Sequence, residues 1–251
     1  MGLHICYELR LAATTSEAEA ASRVQQLHDA SLDLPFARVS DVVRLTHDTL
    51  SELPKLRGLA FERLEDVAHV AAFFAREELY SRAAELPESG VSANDENVLC
   101  YHSIQVPPDV ETVAYGFGIS VGSGSEAAAL GVVRICPPGR AMSHWSWHCC
   151  CKTQYASVHG NDNLVRCHHS IVAALGAAQS LGFEVTVRDE TGYWESRDAG
   201  QLIHAVTEMN KLVATLAGRF TDAARDAGFE SRAIQSEIFK HPDFERLETG
   251  N

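Results

Sequence analysis

The chain predicts an α+β fold: a mainly antiparallel sheet with one β-α-β unit and long flanking helices, in two closely packed halves. Three observations lead there. Leu3 to Leu11 alternates cleanly, with Leu3, Ile5, Tyr7, Leu9 and Leu11 on one face and His4, Cys6, Glu8 and Arg10 on the other. Residues 145–189 run as strand, helix and strand. Asp198 with Gln201 then opens a long helix whose apolar residues Leu202, Val206, Met209, Val213, Leu216 and Phe220 recur every three or four positions.

The remaining elements follow in order. Ser16, three residues before Glu19, has capping-box spacing and starts a helix carrying Ala20, Val24 and Leu27. Val39, Asp41, Val43 and Leu45 alternate as a second strand. Leu64 to Glu85 has the spacing of an amphipathic helix. Pro87 to Asn97 is rich in turn formers and reads as a linker. It divides an N-terminal α/β half, 1–86, from a C-terminal α+β half, 98–251, which carries the candidate site. Strands follow at about 98–106, 112–121 and 130–136, and Pro137-Pro138-Gly139 marks a turn. Trp145 to Tyr155 forms the next strand. Asp162 caps a helix to about Ser180, Gly182 ends it, and Phe183 to Asp189 alternates again. The tail is expected to dock through Ile234, Phe239 and Phe244.

Composition narrows the function classes. The 251 residues are 45% hydrophobic and 22% charged, enough to bury a core without metal or disulfide staples. The net charge of −13 argues against proteins that track phosphates or bind anionic membranes, so no nucleic acid and no membrane is expected as partner. A small-molecule ligand or a basic protein partner fits it. The first residues have neither a basic segment nor a long apolar run, so no signal peptide is expected. Seven cysteines, an odd number, with Cys149, Cys150 and Cys151 contiguous, point to a reducing cytoplasm.

The strand–helix–strand unit at 145–189 places polar residues together. If its strands share direction, their carboxyl ends open on one edge, where ligands tend to bind. One strand brings Lys152, Gln154 and Tyr155 there; the other brings Asp189, Glu190, Tyr193, Trp194 and Glu195. Alternation puts His148, Cys150, Lys152 and Gln154 on one face, and Trp145, Trp147, Cys149, Cys151 and Tyr155 on the other. Adjacent carboxylates in a crevice repel, which raises the pKa of one and suits Asp189 and Glu190 to acid–base work. Lys152 would neutralise developing negative charge, Gln154 would orient a ligand, and Tyr193 and Trp194 would stack on a ring. The competing assignment pairs Lys152 with a carboxylate across the sheet and leaves Trp194 as packing.

His144, His148, Cys149 to Cys151 and Cys167-His168-His169 form a possible zinc ligand pool. A regular strand cannot converge three consecutive thiolates, so no metal site is assigned. Cys149 and Cys151 read as small buried hydrophobes. His168 shares a helical stripe with Leu164, Ile171 and Leu175 and faces the sheet, either as a satisfied core residue or as a base for Cys151. The glycine-rich Gly116 to Glu126 lacks phosphate-loop spacing and reads as strand and turn.

Cys151-Lys152-Thr153-Gln154-Tyr155-Ala156-Ser157, Arg166-Cys167-His168 and Asp189-Glu190-Thr191-Gly192-Tyr193-Trp194-Glu195 resemble the signature of an uncharacterised bacterial family. Tyr7 to Leu11 and His241 to Leu247 are similar to it as well. That family has no assigned activity, so the resemblance implies an architecture and adds Arg166 and His168 to the candidate ligand-binding positions. Cys150 stands where an aromatic is usual, and Thr191 where a glycine is usual. The leading expectation is a cytosolic protein with a small-ligand or enzymatic site, catalytic residues Lys152, Asp189 and Glu190, and ligand contacts from Gln154, Tyr155, Arg166, His168, Tyr193, Trp194 and Glu195. The alternatives are an acidic protein-interaction or immunity-type module without catalysis, and a zinc-dependent hydrolase.

Overall fold

β1 (His4–Leu11) forms where the alternation places it, and its odd-numbered residues are buried while its even-numbered ones reach solvent. This is a computed structural model, and it describes residues 3–46, 71, 75, 111–136, 144–226, 238 and 241–249. After β1 come α1 (Glu17–Leu32), β2 (Arg38–Val39), β3 (Val43–Thr46), β4 (Glu111–Ser120), β5 (Ala128–Cys136) and β6 (Trp145–Lys152). A 3-10 helix (Gln154–His159) leads into α2 (Asn161–Ser180). β7 (Glu184–Asp189), α3 (Tyr193–Ser196), α4 (Ala199–Asp226) and α5 (Phe244–Thr249) complete the order. The class is α+β, as expected.

The sheet is ordered β2-β4-β5-β6-β1-β7, with β3 also on β4, and every pairing is antiparallel. Strands from both sides of the 87–97 segment therefore share one sheet and one core. β4 and β5 are buried almost throughout. Gly116 and Gly131 face each other across them, and a Cβ on either would lie 3.0 Å from the Trp147 ring, so the pair makes room for that indole. In β6 and β1 one face is closed, and the other reaches solvent except at Ser146, which is buried opposite Arg10. Trp145, Trp147, Cys149 and Cys151 lie opposite Leu11, Leu9, Tyr7 and Ile5 on the apolar side.

Several local expectations change in detail. Ser16 caps α1 by accepting from Glu19 N at 3.2 Å, but the Glu19 carboxylate turns to Arg23 at 2.6 Å instead of closing the capping box. The strand expected over 39–45 is two short pieces on the edge of β4. β6 stops at Lys152, not Tyr155, because the chain turns into the 3-10 helix; Gln154 thus leaves the Lys152 face and is fully buried. α2 begins from Gly160 in a left-handed conformation that only glycine adopts readily, and Asp162 sits in its first turn. Asp198 caps α4 as expected, accepting from Gly200 N and Gln201 N. Ala71 and Ala75 are helical and buried; the rest of the 64–85 helix, the linker, the 98–106 strand, the Pro137-Pro138-Gly139 turn, Ile234 and Phe239 lie outside the described residues. Ile238 and Leu247 dock the tail against Ala214 and Tyr155.

Candidate functional site at the ends of β6 and β7

β6 and β7 both run antiparallel to β1, so they share a direction, with β1 between them. Their carboxyl ends and the start of β1 form one rim. Alternation then splits the rim's residues between two sides of the sheet. Asp189 turns toward the helices, while Glu190 and Lys152 turn to the open side.

The helix side holds a closed polar network. His168, on the buried stripe of α2, places Nδ1 2.7 Å from Thr153 Oγ1 and Nε2 3.0 Å from Asp189 Oδ2. A carboxylate only accepts, so Nε2 carries the proton in this contact. Asp189 also accepts from Trp194 N on Oδ2 at 2.8 Å, and from Thr191 N and Thr191 Oγ1 on Oδ1 at 2.9 and 2.7 Å. The donation from Thr191 N is an Asx turn, which the Asp-x-Thr spacing allows. Both side chains are sealed from water, at 1% and 0% exposure. Burial alone would raise the Asp189 pKa, but the hydrogen bond and charge of His168 and the two Thr191 donations outweigh it and hold it down to about 2. The Tyr193 ring packs edge-on against His168, and its hydroxyl meets His169 Nδ1 at 3.0 Å.

A second buried network lies beside it. Gln154 Oε1 accepts from Leu3 N at 2.9 Å, and its amide donates to Asn210 Oδ1 at 2.7 Å. Asn210 donates in turn to Ser157 Oγ, which donates to Gln154 O. These bonds tie the start of β1, the 3-10 helix and the middle of α4 together.

The open side is different. Lys152 lies opposite His4 in register, and Glu190 takes the other flank of His4, accepting from His4 N at 3.0 Å with His4 Nδ1 at 3.5 Å. Arg188 reaches Glu190 Oε1 at 3.3 Å. Lys152 Nζ stands 5.1 Å from the centre of the Tyr155 ring. Two positions further along, on the same face, Cys6 and Cys150 are joined in a cross-strand disulfide with a Cα separation of 4.0 Å. It forms only under oxidising conditions; in a reducing compartment two thiols would face each other here.

The candidate residues are thus brought to one end of the sheet but not to one opening. Lys152, Glu190 and Tyr155 lie on or beside the open rim. Asp189, His168, Gln154 and Tyr193 have their polar atoms engaged inside. Trp194 packs against the core under the Arg197 guanidinium at 4.4 Å, and Glu195 is exposed. Arg166 stands apart, donating to Pro35 O and Asn163 Oδ1 near the turn after β4. His168 meets Thr153 and Asp189 in place of Cys151, whose thiol contacts Glu126 O and whose pKa burial pushes well above its usual 9.0. Among the described residues, no group of three or more His, Cys, Asp or Glu side chains is placed to hold a metal ion. The zinc pool is divided: Cys149 and Cys151 point inward, Cys150 is bonded to Cys6, and His148 points outward. Sequence reading missed Thr153, Thr191 and Asn210. A lone asparagine beside the Val206–Met209–Val213 stripe of α4 was the available signal for the last.

No family model, curated protein or solved structure matches this chain. No helix among the described residues is long and apolar enough to cross a membrane.

Proposed function

We propose that this chain is a protein-interaction module without catalysis, which binds through the open face of β6, β1 and β7. One observation carries this reading. The groups best suited to acid–base work, His168 and Asp189, spend their hydrogen-bonding capacity on one another and on Thr153, Thr191 and Trp194 N, away from solvent. What the sheet offers to solvent is instead a set of charges of both signs, Glu8, Arg10, Lys152, Glu184, Arg188 and Glu190, interspersed with the imidazoles of His4 and His148. A surface of this kind discriminates partners by charge register. The chain's −13 charge favours encounter with a basic partner, and rim charges then act mainly on the association rate. The resemblance to an uncharacterised bacterial family adds no activity to this reading, and a cytoplasmic location, in which Cys6 and Cys150 face each other as thiols until the chain is oxidised, is part of the proposal.

A second reading keeps the small ligand, because Lys152 and Glu190 do flank His4 on one rim. One experiment separates the two. Protein purified from its native cells is compared with a Glu8→Lys/Arg10→Glu variant, and both are screened by thermal shift against metabolites, with Lys152→Ala and Glu190→Gln alongside. A co-purifying protein released by the open-face variant and by high salt supports the module. Stabilisation by a small molecule that is lost in Lys152→Ala and Glu190→Gln, with no protein partner, overturns it in favour of the ligand site.

A further inference from the structure

β7 is the last strand of the sheet, and its outer edge carries no strand among the described residues. Its backbone phase follows from one bond. Glu190 N donates to His4 O, so the even-numbered residues of β7 point their main-chain groups at β1. Val185 and Val187 therefore point theirs outward. The side chains follow the opposite logic: Glu184, Thr186 and Arg188 are exposed on the open face, while Val185 and Val187 are partly buried against the core.

This strand is complementary to itself. An antiparallel two-fold pairing centred on Thr186 sets Val185 against the partner copy's Val187, the pair that has outward main-chain groups to exchange. It sets Glu184 against the partner copy's Arg188, and Arg188 against the partner copy's Glu184, in the closer non-hydrogen-bonded positions. Centring on Val185 would place Arg188 opposite the turn at Gly182, and centring on Val187 would set Glu184 against Glu190, a like-charge pair. Only the Thr186-centred register satisfies charge and backbone together.

We infer that two copies of this chain associate through β7, edge to edge, with Thr186 on the two-fold axis. The isologous contact closes on itself and joins the two sheets into one, so the open faces of both copies become continuous. This goes beyond the proposed interaction function and does not depend on it. The contact is short, and two chains of −13 repel at long range, so association is expected to be weak and best seen near 0.15 M salt, where screening acts beyond about 8 Å.

Sedimentation velocity at about 0.1 mM chain tests it. The wild type is expected to dimerise. Arg188→Glu, or Glu184→Arg, should weaken the dimer by about tenfold or more, and the Glu184→Arg/Arg188→Glu double swap should restore it. Thr186→Cys sits at a close cross-strand position like that of Cys6 and Cys150, so mild oxidation should give a covalent dimer that the wild type does not form. Circular dichroism confirms that each variant is folded. A wild type that stays monomeric overturns the inference. So does a dimer that is unmoved by the single reversals, is not restored by the swap, or leaves Thr186→Cys uncrosslinked.

Discussion

Replacing Asp189 by asparagine is the sharpest perturbation of the buried network. The carboxylate receives four donors, from His168 Nε2, Trp194 N, Thr191 N and Thr191 Oγ1. An amide keeps one oxygen for two of them and turns its own NH2 on the others, leaving buried donors facing donors. Breaking a buried, charge-assisted contact of this kind costs about 3–5 kcal/mol. The pH behaviour gives an independent measure. Asp189 falls from an ordinary pKa of 3.8 to about 2 in the folded chain, which corresponds to about 2 kcal/mol of stability. A depressed carboxylate pKa contributes fully above 3.8, and the contribution is lost as pH falls through about 2. Urea unfolding followed by circular dichroism at pH 7 and at steps down to pH 2 reads both effects. Asp189→Asn should lower the midpoint strongly at pH 7 and should flatten the acid limb below pH 4 relative to wild type. A loss below about 1 kcal/mol at pH 7, with an unchanged acid limb, would refute a structural role for the network.

Other outcomes follow from the same packing. Lys152→Ala and Glu190→Gln, on the open side, should each change stability by no more than about 0.5 kcal/mol in the same urea assay. Gln154→Leu removes partners from Leu3 N and Asn210, and should cost about 1–3 kcal/mol by the same measurement. Gly131→Ala places a methyl against the Tyr115 carbonyl oxygen and 2.7 Å from Gly116 Cα, and should lower the melting temperature, at a cost of about 1–3 kcal/mol. The Cys6–Cys150 bond spans 144 residues, and by chain entropy its reduction should cost up to about 5 kcal/mol; unchanged melting with and without a reductant would contradict its formation. Cys149, whose pKa burial pushes up to about 12, should resist iodoacetamide in the native chain and react only on unfolding, as mass mapping would show.

The elements legible in the sequence are those where one period dominates. β1 shows alternation because one face is core and the other solvent; the α4 stripe holds for the same reason at Leu202 and Val206, but further along Asn210, Ala214 and Ala217 take the buried positions and Phe220 is 63% exposed. β7 and α2 were placed to within a residue or so at each end. The end of β6 is not legible, since Gln154 continues the polar alternation of His148, Cys150 and Lys152 while the backbone has already turned inward, Thr153 meeting His168 and Gln154 meeting Asn210. That one turn moved Gln154 from an exposed face to a buried network. Asp189 and Glu190 were seen as adjacent carboxylates in a shared crevice, yet strand geometry sends neighbours to opposite faces; the raised pKa expected for one of the pair becomes a lowered one for Asp189. The Cys6–Cys150 pairing depends on the β1–β6 register, which no local pattern encodes. The open polar face, by contrast, was visible from the even-numbered residues of β1 alone.

Carboxylate footprinting tests the division between sealed network and open face most directly. Carbodiimide labelling of the native chain, mapped by mass spectrometry, should modify Glu190, Glu184 and Glu8 and leave Asp189 untouched, and a bound protein partner should protect the three glutamates. Labelling of Asp189 at the rate of Glu190, or a partner that leaves all three glutamates as reactive as before, would contradict the account.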